Sequence, residues 1–267
     1  MLKPLILITN DDGIDSPGLA AVAAALDPLG DLLIVAPRSQ QSGAGRSMPY
    51  HHDGRLFETT ICHNGTTWGG YAAHASPAQA VQHALLELAA RRPALAVSGI
   101  NFGENIGVAV TISGTVGAAL EAAAHGVPAL AVSLQVDPSL HRDYDDSVDF
   151  TAAMHFTRLF AERLLKSDLP FDVDVLKVDI PASATPQTAW TVVRLERRPY
   201  YVPTAPTRSH LGQEGRIGYR MVMSHPVQGE TDAAALMAGL VAVTPLSLDM
   251  TSRVDLAALR RLLDQTA

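Results

Sequence analysis

The stretch LILITNDDGIDSPGLAAVAAAL, residues 5–26, decides the fold. Its first five residues are apolar and rich in β-branched side chains, the pattern of a strand covered on both faces. A polar turn, NDDGID, follows. Ser16 and Pro17 then supply an N-cap and a first helical residue for the alanine-rich segment GLAAVAAAL. Strand, polar turn and capped helix in that order make one crossover unit of a parallel sheet.

The same rhythm continues outward. LLIVA (32–36) reads as a second buried strand, which Pro37 ends before the polar loop RSQQSGAGRS. Residues 48–73 carry Asp53-Gly54 and Asn64-Gly65 between short β-prone stretches, so hairpin-like excursions are expected there. Ser76-Pro77 repeats the cap-plus-proline device and predicts a helix through residue 92. ALAVSG (94–99) and PALAVSL (128–134) are a third and a fourth strand. Between them lie a glycine-rich loop and a small-residue helix over 115–125, ended by Gly126. Residues 147–166 predict a long amphipathic helix, and VDVLKVDIP (173–181) a further strand.

After about residue 186 the alternation breaks. TAWTVVRL, YRMVM and LVAVTPLSL read as strands, residues 199–218 as a loop or arm, and VDLAALRRLLDQ as a terminal helix. The expectation is an α/β protein with a doubly wound, mostly parallel sheet. It forms one domain over residues 1–267: a core over 1–185, then a hairpin, arm and terminal helix over 186–267 that pack on a partner subunit.

Composition narrows the function. The 267 residues are 47% hydrophobic, enough for a sizeable core, and carry a formal net charge of −7. That balance gives no basic footprint for duplex nucleic acid or an anionic membrane. Cys62 is the sole cysteine, so neither an internal disulfide nor a thiolate metal site is expected. The first apolar run is too short for a signal-peptide core, and no later run reaches the ~20 residues of a membrane span. A cytoplasmic protein is expected.

In open α/β sheets, ligands bind beyond the carboxyl ends of the strands. Three polar, glycine-containing loops fall at such ends, over residues 10–13, 39–47 and 99–115, and right-handed crossovers bring them to one edge. Asp11 and Asp12 are adjacent carboxylates whose mutual repulsion a cation would relieve, and oxygen donors suit Mg²⁺ or Mn²⁺. The same residues also make an ordinary turn. SGINFGENIG (98–107) interleaves glycines with Asn101 and Asn105, which suits close backbone approach to a ligand and equally suits a plain loop. SGTVGAAL (113–120) opens a helix whose free amides, with the Ser113 and Thr115 hydroxyls, make an anion site compatible with capping by Ser113. Ser42 is either a hydroxyl ligand or a loop serine. Arg38 and Arg46 read as solvated loop charges, and His51, His52 and His74 lack metal-ligand spacing. Neither a Walker loop, a dinucleotide fingerprint nor a G-x-S-x-G elbow is present.

Four stretches carry a family resemblance: TNDDGIDSPGL (9–19), VAPRSQQSGAG (35–45), VSGINFGENIG (97–107) and SGTVGAALEAAAHGVPALAVSL (113–134). In order and spacing the chain resembles the SurE survival-protein family of 5′/3′-nucleotidases, specifically over residues 5–134 and more loosely beyond, through TPLSLDMT (244–251). The resemblance implies a Rossmann-like three-layer α/β/α sandwich with an extended C-terminal arm, assembled as a homodimer or homotetramer. It implies hydrolysis of nucleoside 5′- or 3′-monophosphates with one divalent ion, Mg²⁺ or Mn²⁺, per subunit. Matched residue by residue, the metal ligands fall on Asp11, Asp12, Ser42 and Asn101. The phosphate pocket falls on Ser113, Gly114 and Thr115, with Asn105 beside it as a catalytic residue together with Asp11 and Asp12. The chain departs from the family at Arg38, where an acidic residue is usual, at ASPAQA (75–80), at Val108, Ala109 and Ile112, and at GETD (229–232). Direct hydrolysis, with Asp11 or Asp12 taking the proton of water, is favoured over a phospho-enzyme. The rival readings are a nucleotide or phosphate sensor without turnover, and an exopolyphosphatase.

Overall fold

The computed structural model describes residues 2–137, 140, 148–221 and 230–264. Eleven strands and six α-helices are named here in chain order. β1 (Leu5–Thr9) is buried at every position, as a strand covered on both faces should be. Its side chains alternate between two cores. Ile6 and Ile8 face α1 (Pro17–Leu26) and α4 (Thr151–Leu164), while Leu7 faces α2 (Pro77–His83) and α3 (Gly114–Ala124). This alternation makes the three layers, and each buried Ile or Leu contributes about 1.5–3 kcal/mol.

Nine strands form the central sheet, in the order β3-β4-β2-β1-β5-β6-β7-β11-β8. β2 (Asp31–Pro37), β5 (Leu95–Phe102), β6 (Ala129–Leu134) and β7 (Val175–Ile180) run parallel to β1 and to one another where they pair. The chain leaves β1 toward β2 on one side and later returns to β5 on the other. β1 and β5 therefore border the topological switch point, where ligands bind in such sheets.

The expected hairpin lies at one edge: β3 (Leu56–His63) pairs antiparallel with β4 (Thr66–Ala73). Asn64 and Gly65 form its two-residue turn with φ of 47° and 81°, the left-handed geometry those residue types tolerate. At the other edge, β11 (Val241–Leu246) inserts between β7 and β8 (Trp190–Val192), antiparallel to the first and parallel to the second. The tail beyond residue 185 thus contributes two strands to the main sheet. It also carries a separate ribbon, β9 (Tyr201–Thr204) with β10 (Gly218–Met221), and the helices α5 (Asp232–Met237) and α6 (Leu256–Leu263). Residues 222 and 223 of YRMVM, 229 of GETD, 147 of the long helix and 265 of the terminal helix lie outside the described residues.

Two helices differ from expectation. The helix predicted through residue 92 holds α geometry only to His83, passes through a π turn (Ala84–Leu88) and stops. Its start matches, with a reciprocal Ser76–Gln79 capping box. Its end is drawn away by Arg91, which donates to Lys3 O at 2.8 Å and to Asp31 at 2.6 Å, and Pro93 disfavours helix at Arg92. In α1, Ser16 occupies the N-cap position with Pro17 behind it, but its side chain makes no capping bond.

Candidate active site

The three carboxyl-end loops meet. Gln41 N–H donates to Asp11 O at 2.7 Å, joining the 39–47 loop to the turn after β1. Gly45 N–H donates to Ile112 O at 3.0 Å, joining that loop to the segment before α3. The Phe102 amide at the end of β5 donates to Asp12 Oδ2 at 3.0 Å. Asn10 closes its own turn, exchanging bonds with Gly13 at 3.0 and 3.1 Å, and this presents Asp11 and Asp12 in succession.

Both carboxylates are buried, at 5% and 3% exposure. Asp11 Oδ1 accepts from the Thr115 hydroxyl, and the Gly114 and Thr115 amides at the start of α3 also face this carboxylate. The approach requires glycine at 114, since a Cβ there would lie 2.6 Å from Asp11 Cβ and 2.7 Å from its Oδ2. Asp12 Oδ1 accepts from Gln40 Nε2 at 3.2 Å. Burial pushes the Asp11 carboxyl above the ordinary range despite these donors. Burial, then the charge of Asp11, pushes Asp12 up to about 8. The donors that oppose these shifts, Thr115, the Gly114 amide, the Phe102 amide and Gln40, are all neutral.

The other expected site residues lie on the same loops. Asn101 sits where the β5–β6 ladder shifts register. Its Nδ2 donates to Gly103 O at 2.6 Å. Ser42 is exposed in the 39–47 loop. Ser113 caps α3 by accepting from Val116 N–H at 3.1 Å. Asn105 is nearly buried, its Nδ2 donating to Ser133 Oγ at 2.8 Å. The helix start expected to face a ligand is therefore already turned toward Asp11, through Gly114 and Thr115.

Several contacts were beyond the sequence reading. Arg46 is not a free loop charge: its Nε donates to Glu121 Oε2 at 2.6 Å, anchoring the Ser42-bearing loop to α3. Burial acts to raise Glu121, but bonds from Arg46 and Gln82 outweigh it and hold the carboxyl below its usual range. Arg38 lies over the Phe57 ring at 5.2 Å. Glu104, beside Asn105, accepts from the Tyr201 hydroxyl of β9 at 2.6 Å. A groove of about 830 Å³ opens at Ile14 and Ser16 and runs to Ile61, His63 and Phe150, but neither Asp11 nor Asp12 lines it. Among the described residues, no three His, Cys, Asp or Glu side chains gather where one ion could bridge them. The donors here are two carboxylates with hydroxyl and amide oxygens, a hard set that fits Mg²⁺ or Mn²⁺.

Fold and site define a Rossmann-like α/β/α protein with a pair of buried carboxylates at its switch point, against the start of a helix. The chain belongs to the survival protein SurE family, whose model matches residues 6–201. A protein of Thermococcus gammatolerans named 5'-nucleotidase SurE is 39% identical over 97% of this chain and 95% of its own. One of the same name from Archaeoglobus fulgidus is 40% identical over 94% of each chain. The crystal structure of the SurE protein from Aquifex aeolicus superposes with a TM-score of 0.75 at 28% identity, covering 98% of this chain and all of that one.

Proposed function

We infer that this chain is a phosphomonoesterase that hydrolyses nucleoside 5′-monophosphates to nucleoside and phosphate. The family and its 5'-nucleotidase relatives support this, and neither sensor nor exopolyphosphatase is favoured. The observation that carries the chemistry is the pair of buried, adjacent carboxylates, each raised above its ordinary range, against the start of α3.

In this proposal Asp11, Asp12, Ser42 and Asn101 hold one Mg²⁺ or Mn²⁺ ion. Such an ion supplies Lewis-acid polarisation of a phosphoryl group and an acidified water. The chain's own residues do the rest. Thr115 and the Gly114 amide orient Asp11, while Gln40 and the Phe102 amide orient Asp12. Ser113, Gly114 and Thr115 bring the positive end of α3 to the crevice, where charge builds on phosphoryl oxygens during transfer. Asn105 adds an amide beside them. Asp11 or Asp12 accepts the proton of the attacking water.

The assembly proposed is a homodimer or homotetramer in the cytoplasm. In support, α6 buries none of its residues and exposes Leu256, Leu259 and Leu263 along one side. No helix among the described residues is long and apolar enough to cross a membrane.

The test is release of inorganic phosphate from AMP, GMP and polyphosphate with Mn²⁺ and with EDTA. Metal-stimulated release from the monophosphates is expected. Nucleotide binding without release would restore the sensor, and release from polyphosphate alone the exopolyphosphatase.

A further inference from the structure

A second buried charged cluster lies apart from the Asp11 and Asp12 pair. Lys177, Asp179 and Asp232 are each fully buried. Lys177 and Asp179 lie two apart on β7 and share one face of it; Asp232 opens α5. The Lys177 ammonium donates to Asp179 Oδ2 and, at 3.1 Å, to Asp232 Oδ2. The carboxylate oxygens then collect backbone amides from separate segments. Asp179 Oδ1 accepts from Asn105 N–H at 2.8 Å, and Asp232 Oδ2 from Gly107 N–H at 2.9 Å. Asp232 Oδ1 accepts from Glu196 N–H at 2.8 Å and Ala233 N–H at 2.9 Å.

Stability alone gives little reason for such a cluster, because well-packed apolar side chains in place of buried ions are often neutral or stabilising. Burial pushes Asp179 up to about 6 even with Lys177 beside it. What the ions provide, and apolar groups would not, is a set of acceptors aimed at a stretch without regular structure. Residues 103–106 lie between β5 and a 3₁₀ turn, and they carry Asn105. β7 is a rigid strand inside the sheet, so its carboxylate is a fixed reference for that loop.

We propose that Lys177, Asp179 and Asp232 are positioning residues for the phosphatase reaction: through the amides of Asn105 and Gly107 they hold the 103–107 loop in place relative to Asp11 and Asp12. This rests on the activity inferred above. Lys177 acts through the two aspartates and touches no substrate. Its ammonium donates to both carboxylates, which in turn accept from the Asn105 and Gly107 backbone N–H groups.

The experiment is steady-state hydrolysis of AMP by the Mn²⁺-loaded protein, with rates expressed per bound Mn²⁺. The variants are Lys177→Met, Asp179→Asn and the double variant Lys177→Gln with Asp179→Asn. Lys177→Met strands two carboxylates, and kcat is expected to fall about 100-fold, the scale of a misplacement of roughly 1 Å, while KM moves about threefold or less. Asp179→Asn keeps an oxygen for the Asn105 amide and is expected to lose about tenfold in kcat. The double variant strands one carboxylate, Asp232, instead of two, and its kcat should fall between those of wild type and Lys177→Met. A merely structural role would lower the melting temperature and the amount of bound Mn²⁺ and leave kcat per bound Mn²⁺ unchanged; that result overturns the proposal. If Lys177→Met does not fold, Asp179→Asn decides, and wild-type kcat per bound Mn²⁺ in that variant is equally fatal. Wild type that releases no phosphate from any nucleoside monophosphate would instead sink the activity, a distinguishable failure.

Discussion

Asp11 and Asp12 at the switch point, and Asp179 and Asp232 beneath the arm, are two pairs of buried aspartates met by different means. The second pair shares an internal cation, Lys177, and Asp179 rises only to about 6 despite complete burial. The first pair is held by a hydroxyl, a side-chain amide and backbone N–H groups, and there Asp12 rises to about 8. The second pair carries its own positive charge, while the donors named at the first pair are neutral; in the proposed reading the first pair's positive charge is a metal ion taken from solution.

The largest expected effect breaks the first pair. Asp12→Ala should lower Mn²⁺-dependent phosphate release from AMP on the order of 1,000-fold, and unchanged release would remove Asp12 from the site. The next sets the pairs against each other in urea unfolding of metal-free protein. Lys177→Met leaves two buried carboxylates without their cation and should cost about 3–5 kcal/mol. Asp12→Asn replaces a carboxyl that burial forces to take up a proton on folding with a neutral amide, and should stabilise by about 1–2 kcal/mol at neutral pH. Equal signs would erase the distinction.

A pH series sharpens the same contrast. The folded-state pKa of Asp12, about 8, lies above its ordinary value of 3.8. Between those values the folded protein keeps a proton that the unfolded chain has lost, so metal-free stability falls as pH rises, by at most about 1.4 kcal/mol per unit for one proton. Asp179 acts with the same sign, but only up to about pH 6. Asp11→Asn/Asp12→Asn should therefore flatten the curve between about pH 6 and 8 and leave below pH 6 only the shallower fall that Asp179 contributes. Stabilisation by Mn²⁺ should grow with pH in wild type, because binding displaces the proton. A thermal melt series with and without Mn²⁺ reads both. The smallest effect concerns a single donor: Thr115→Val removes the hydroxyl from Asp11 and should lower kcat about tenfold, measured at saturating Mn²⁺.

The parts of this molecule that depend on neighbours in sequence were legible before the structure. β1, its polar turn and the Pro17 helix start follow from the burial pattern and from proline at the first helical position, and the Asn64-Gly65 turn fixes the β3–β4 hairpin. Convergence of the 10–13, 39–47 and 99–115 loops followed from the crossover rule, and the structure ties them by Gln41, Gly45 and Phe102 amides. What could not be read depends on distant partners. β11 slips between β7 and β8 because the sheet edge there is free to accept it, and strand pattern does not encode that order. Arg46 finds Glu121 across 75 residues and Lys177 finds Asp232 across 55. One signal was present: Lys177 and Asp179 alternate inside an otherwise apolar strand, and charges so placed in a buried strand must be paired.

Anomalous scattering from crystals grown with Mn²⁺ tests the central claim most directly. One peak per chain is predicted, roughly 2.0–2.3 Å from carboxylate oxygens of Asp11 and Asp12, with Ser42 and Asn101 completing the protein ligands. A peak elsewhere, or none in protein that releases phosphate at full rate in EDTA, would contradict the account.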